Sequence, residues 1–256
     1  MAVANKVAII TGSASGVGAA VATMLARSGV YVVVNYTKSK AEAQEVITQC
    51  AAHGVDTLLQ QADVAEDDAC RRMVDEAIKK WGRVDYLVNN AGATKFVDHA
   101  DLEGLSAGDF QRIFGVNVVG PFQMCRAVAP HMKRAGRGAI VNISAAASVS
   151  GGGSSIAYAA SKGALNTLTL SLARALGPEI RVNAVCPGMV KTRWMEQGLG
   201  SERYAALVRK TEAASPLHSV STPDDVAEPA VWLLENAKQV TGEIMFIDAG
   251  FRLAHP

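Results

Sequence analysis

Lys6-Val-Ala-Ile-Ile-Thr11-Gly12-Ser-Ala-Ser-Gly16-Val-Gly18 is the stretch whose reading decides the fold. A short apolar run gives way to glycines, then to an Ala-rich amphipathic segment that reaches Ser28, with Gly29 after it. The order is strand, glycine turn, helix. Glycine lets the backbone approach a bound group closely, and unpaired N–H groups at a helix N-terminus favour an anion. A glycine cluster alone fits a plain tight turn. Placed after the first strand of an alternating chain, it predicts a phosphate site. The spacing T-G-x-x-x-G-x-G departs from the broader G-x-G-x-x-G dinucleotide pattern.

Working outward, the alternation repeats. Further strands are predicted at Val30–Asn35, Thr57–Asp63, Asp85–Asn89, Ala139–Ser144, Ile180–Val185 and Gly242–Ile247. Helices are predicted over Lys38–His53, Asp67–Trp81, Ala107–Val118, Ala157–Leu176 and Asp224–Glu235, the last signalled by Thr222-Pro223. Gly120 and Pro121 interrupt the fourth helix, which resumes to about Arg134, and Ala145–Ser155 reads as a loop. Continuous apolar strands alternating with helices imply α/β architecture, a parallel sheet covered on both faces. There is no linker and no internal repeat, so residues 1–256 read as one domain.

Composition narrows the function. The chain has 256 residues, 49% of them hydrophobic and 19% charged, which describes a globular protein rather than a disordered one. A formal net charge of +1 without a basic run points away from nucleic acid and anionic membrane. No apolar stretch approaches the ~20 residues of a membrane span. Cys50, Cys70, Cys125 and Cys186 are scattered, which predicts buried free thiols and a cytoplasmic location. The five histidines show no ligand spacing, so no metal site is expected.

The candidate chemistry lies in Tyr158-Ala-Ala-Ser-Lys162. Residues four apart on a helix share a face, so a phenol and an ammonium can occupy one small space. A neighbouring cation is expected to lower the phenol pKa, and a phenol so tuned exchanges a proton with a carbonyl or alcohol oxygen. An isolated Tyr–Lys pair at this spacing is usually only an exposed surface pair.

Other motifs change that balance. Thr11-Gly12-Ser-Ala-Ser-Gly16-Val-Gly18, Asn89-Asn90-Ala91-Gly92, Asn117, Tyr158-x-x-x-Lys162 and Pro187-Gly188 occur in this order. The chain resembles the short-chain dehydrogenase/reductases, most closely the 3-oxoacyl-acyl-carrier-protein reductase type, from about Lys6 to Gly250. The resemblance implies a single Rossmann-type doubly wound domain with a seven-stranded parallel sheet, a nicotinamide cofactor, and hydride transfer to or from a carbonyl or alcohol. By position, Gly12, Ser13, Ser15, Gly16 and Val17 would line the pyrophosphate and adenosine ribose. Asp63 and Val64 would border the adenine. Asn90, Ala91 and Gly92 would lie beside the cofactor. Tyr158 and Lys162 would hold the nicotinamide ribose, and Val190 and Thr192, just past Pro187 and Gly188, the carboxamide. Asn90 is alternatively only a brace for the sheet.

An acid at the end of the second strand selects NAD by accepting from the ribose 2′-OH. This chain has Asn35-Tyr36-Thr37-Lys38 instead, which favours NADP(H) over NAD(H). The usual basic residue before Gly16 is Ser15 here.

In the family mechanism Tyr158 is the general acid/base. Lys162 lowers its pKa, Asn117 holds a water at a helix break, and a serine hydroxyl bonds the substrate oxygen. That serine stands thirteen residues before the tyrosine, and Ala145 occupies the place. Ser144, one residue early, is the candidate donor by sequence, but neighbouring side chains on an extended segment point opposite ways. Ser148 and Ser150 are other sources of a hydroxyl. Ala145 also supports a second reading, a cofactor-binding sensor or weak catalyst.

Residues 189–223 are expected to form a substrate lid with Met189, Trp194, Met195, Leu199, Tyr204, Leu207 and Leu217 facing inward. The expected partners are a small carbonyl or alcohol substrate and, through Arg134 and Arg137 near the pocket mouth, an acyl-carrier protein. Excess apolar surface on the 109–134 and 158–176 helices, with a second contact from Gly242–Pro256, predicts a homotetramer.

Overall fold

The computed structural model describes residues 5–254. Seven strands make one parallel sheet: β1 (Val7–Ile10), β2 (Tyr31–Tyr36), β3 (Thr57–Gln61), β4 (Tyr86–Asn89), β5 (Gly138–Ile143), β6 (Ile180–Pro187) and β7 (Ile244–Ile247). Their order is β3-β2-β1-β4-β5-β6-β7, and every pairing is parallel. The chain therefore steps outward from β1 in one direction and then restarts beside it at β4. That reversal opens a crevice at the carboxyl ends of β1 and β4, where ligands bind in such sheets.

Helices cover both faces. One layer holds α1 (Gly16–Arg27), α2 (Lys40–Ala51) and α10 (Pro223–Glu235), and its core joins Ile10, Val21, Leu25, Val34, Val88 and Leu233. The other holds α3 (Asp67–Trp81), α5 (Gly120–Arg134) and α7 (Ile156–Leu176), around Ile9, Met73, Leu87, Met124 and Ile140. Ile9 and Ile10 are both fully buried on opposite faces of one strand. That is why these strands read as unbroken apolar runs instead of alternating ones.

Two local expectations are corrected. The helix does not stop at Gly120-Pro121. Between α4 (Ala107–Phe114) and α5 it continues through a π turn, Gly115–Val119. Pro121 falls in the first turn of α5, where its missing N–H is a small loss. The Ala145–Ser155 loop also contains a one-turn helix, α6 (Ala147–Ser150), closed by Gly151 at φ 70. The N-terminal signal at Thr222 is a capping box with Asp225, with Pro223 at the first helical position.

The lid comprises α8 (Arg193–Leu199) and α9 (Ser201–Ala214). Met189, Met195, Leu199 and Tyr204 are partly buried, but Trp194, Leu207 and Leu217 are exposed at 44%, 37% and 73%. The inner face is thus narrower than the sequence implied, because two short helices cannot enclose seven large side chains. Arg134 and Arg137 are also misplaced by the sequence reading. They precede β5, so they sit at the amino edge of the sheet, opposite the crevice. Residues 255–256, the end of the expected C-terminal contact, lie outside the described residues.

Candidate active site

The glycine turn is built from polar groups that bind one another. Gly12 N–H donates to Asn35 Oδ1 (2.9 Å), and the Asn35 amide donates to Ala62 O (3.1 Å) and Gln60 O (3.3 Å). Asn35 N–H donates to Ser13 Oγ (3.0 Å), whose hydroxyl donates to Ile10 O (2.7 Å). Ser13 N–H donates to Asn35 O (2.9 Å). Ser13 is fully buried, with both its N–H and its hydroxyl committed, so its expected place against the pyrophosphate is corrected. Thr11 Oγ1 accepts from Asn90 N–H and Ala91 N–H, while the Asn90 amide donates to Thr11 O and Gly12 O. Asn90 is therefore a brace for the turn. A Cβ on Gly12 would come within 2.8 Å of Ala91 Cα, which is why glycine stands there.

What remains free lies at the mouth of α1. Ser15 caps the helix, but its hydroxyl makes no capping bond, and no acidic residue occupies the first turn. Gly16 has φ +58, and a Cβ there would meet nothing nearer than Thr192 Cγ2 at 3.6 Å. Unpaired N–H groups, a free hydroxyl and open space fit a phosphate. The Thr192 contact also shows that the start of α8 reaches across to the turn after β1. Val190 pairs with Ser221 as an isolated parallel bridge, and Gly188 packs against Asp248, its Cβ position 2.9 Å from the Asp248 Cβ. Asp63 turns its carboxylate onto Ala65 N–H, and Val64 O accepts from the Gln123 amide. Tyr36 is buried, whereas Thr37 and Lys38 at the start of the α2 turn are exposed. Gly92 lies beside Asn117, its Cβ position 3.7 Å from Asn117 Oδ1.

The catalytic candidates meet on α7. Ser155 caps this helix by accepting from Tyr158 N–H (3.3 Å), which fixes where Tyr158 enters. Lys162 Nζ stands over the Tyr158 ring, 5.6 Å from its centroid, and donates to Ile143 O (2.8 Å) at the end of β5. Asn117, in the π turn, is buried. Its amide donates to Ala93 O and to Ser161 Oγ, and Ser161 donates to Tyr158 O. Sequence reading missed Ser161 because it lies inside the Tyr-x-x-x-Lys spacing as an unmarked residue.

Electrostatics run against the expected tuning. Burial pushes the Tyr158 phenol well above its ordinary range, with the Cys186 thiol adding to it, and brings Lys162 down to about 8. Leaving water disfavours the charged form of each group. The expected low-pKa phenol is therefore corrected.

Ser144 is corrected as the hydroxyl donor. It is buried and donates to Lys162 O (3.2 Å), behind the reacting face. The Ser148 hydroxyl accepts from the Asn166 amide (2.8 Å), and Ser150 is exposed, accepting from Gly152 N–H. Cys186 closes this cluster through Asn166 Oδ1 (3.6 Å). Above Tyr158 sit two more rings. Trp194 lies 6.4 Å from the Tyr158 ring and 5.6 Å from Phe96, tilted in both cases. Phe96 had no sequence signal, since it belongs to an irregular segment after β4.

A family model described as Enoyl-(Acyl carrier protein) reductase matches residues 12–252. The chain is 41% identical over 247 residues to "Granaticin polyketide synthase putative ketoacyl reductase 2" of Streptomyces violaceoruber, covering 96% of each. It is 36% identical to short-chain dehydrogenase/reductase GME11373 of Pestalotiopsis microspora, covering 96% of this chain and 95% of the relative. Its fold is similar to the crystal structure of acetoin dehydrogenase YohF from Salmonella typhimurium, with a TM-score of 0.85, 32% identity, and 98% and 99% of the two chains covered. The chain belongs to the short-chain dehydrogenase/reductase family. As a member it is an oxidoreductase acting on CH–OH or carbonyl groups with a nicotinamide cofactor. Among the described residues of this dehydrogenase/reductase, no helix is long and apolar enough to cross a membrane.

Proposed function

We propose that this chain is an NADP(H)-dependent carbonyl reductase, one Rossmann-type domain over residues 1–256 with a lid at 189–223. The observation that carries the reading is the Lys162 ammonium over the Tyr158 ring, bonded to Ile143 O at the carboxyl edge of the sheet. The nicotinamide would supply the hydride. Ser15, Gly16 and Val17 would hold the pyrophosphate, and Val190 and Thr192 would border the nicotinamide. Tyr158 would give its proton to the carbonyl oxygen as charge develops there. Lys162 would grip the ribose and stabilise the resulting phenolate. Asn117 and Ser161 would fix the backbone of the Tyr158 turn.

The half-buried Tyr158 phenol is neutral at pH 7 and so carries the proton that carbonyl reduction takes up. The absence of an acid at the end of β2 supports NADP(H), since the Asn35 amide is turned inward and leaves Thr37 and Lys38 outside. A 3-oxoacyl thioester is a second reading, favoured by the ketoacyl reductase name of the granaticin relative. Exposed Phe110, Val119, Phe122 and Leu170 on α4, the π turn, α5 and α7 support a homotetramer packed through these helices. The test is oxidation of NADPH and of NADH against a ketone panel, followed by loss of nicotinamide absorbance. NADPH-preferring turnover is expected. Tight NADPH binding with no turnover of any ketone would instead favour a sensor.

A further inference from the structure

The reductase reading leaves the carbonyl compound open, and the rings above Tyr158 narrow it. Trp194 tilts 47° against Tyr158 and 57° against Phe96, so the three rings form one continuous aromatic wall. Phe96 is seated against the α8 backbone. A Cβ on Gly198, in the last turn of α8, would overlap the Phe96 ring, so glycine there lets the ring lie against the helix backbone. On the other side of Tyr158 the chain offers little bulk. Gly153 lies against the ring, its Cβ position 3.4 Å from Tyr158 Cδ1 and 3.1 Å from the Ala147 Cβ.

We propose, resting on the reductase reading above, that the substrate is an uncharged ketone whose carbonyl lies on or beside a planar aromatic ring, held between Trp194 and Tyr158. The physical reason is an exchange of contacts. A substrate entering over Tyr158 must part the Tyr158–Trp194 pair. An alkyl chain leaves both ring faces without an aromatic neighbour, whereas a flat ring restores the tilted contact on each side. The mouth adds a second constraint. Lys95 and Arg112 are paired with Asp109, Lys191 with Glu212, and Arg193 with Glu42. Three of these four cations are thus matched by acids of the chain itself, leaving one net positive charge, which suits a free, neutral substrate better than one tethered to an acidic carrier.

The test compares 2-tetralone with 2-decalone, the saturated counterpart of similar size, and with an N-acetylcysteamine thioester of a 3-oxo acid. Steady-state kcat/KM with NADPH and calorimetric binding in the presence of NADP+ are both read. The aromatic ketone is expected to exceed the saturated one by about tenfold in each measurement. Trp194→Leu and Phe96→Leu are each expected to shrink that ratio toward one. Turnover of all three compounds with no aromatic preference, or a preference unmoved by either substitution, overturns the proposal and leaves the reductase reading standing. Absence of all turnover defeats the reductase reading. The binding ratio then still decides the ring site, since equal affinity for 2-tetralone and 2-decalone removes it.

Discussion

The glycine turn after β1 and the crevice beside α7 lie at the same edge of the sheet, yet they treat polar groups in opposite ways. Around the turn nearly every donor and acceptor is matched inside the chain: Asn35 with Gly12 and Ala62, Ser13 with Ile10, Asn90 with Thr11 and Gly12. In the crevice, half-buried Tyr158 and buried Lys162 stand beside each other with both charged states disfavoured. A saturated network fixes geometry, and only Ser15 and the first α1 N–H groups are left over for a ligand. The unsaturated pair stores reactivity, at a cost in stability that the surrounding fold offsets.

Asn35→Ala is the harshest way to break that contrast. It strands the Gly12 N–H and the Ala62 carbonyl, and should cost about 2–6 kcal/mol in urea unfolding at about 1–3 kcal/mol for each buried group left unpaired. A loss under about 1 kcal/mol would mean that the turn does not depend on this network.

Ala145→Ser sharpens the other side. The substitution supplies the hydroxyl that the crevice lacks, and kcat should rise by up to about 10²-fold, the lower end for an oxyanion donor. Unfolding free energy should change by less than about 1 kcal/mol. An unchanged rate would show that position 145 does not face the reacting oxygen.

The smallest effect is in pH. Lys162 has a folded-state pKa of about 8 against an ordinary 10.5, so between these values the unfolded chain binds more protons. Stability contributed by this site therefore rises with pH across that window and is lost as pH falls toward 8. The difference in unfolding free energy between the natural chain and Lys162→Met should shift by about 2 kcal/mol from pH 7 to 9.5. Subtracting the variant removes the opposing effect of the Cys50, Cys70 and Cys125 thiols, which burial raises to about 11 or 12. A flat difference would place Lys162 in water.

The same contrast explains what could be read from the sequence. The strands and the α1 mouth follow from local signals, because apolar runs, glycines and caps act within a few residues, whereas the strand order is set by pairings between distant segments. Tyr158 and Lys162 were legible for that reason, being one turn apart on α7. Ser13 and Ser144 were not, because a hydroxyl's direction depends on a partner far along the chain, Asn35 on β2 in one case and the Lys162 carbonyl on α7 in the other. Arg134 and Arg137 were assigned to the wrong edge because sequence distance does not show that α5 runs back against the strands. Phe96 and Gly198 acquire meaning only as a pair, across 102 positions of chain, where no periodicity connects them.

The central claim is that the Tyr158 phenol delivers the proton. Tyr158→Phe, assayed with NADPH and the best ketone of the panel, measures it most directly. The account predicts that kcat falls by about 10²–10⁴-fold while calorimetric NADPH affinity changes little. Turnover within a few-fold of the natural chain, with the cofactor still bound, would contradict it.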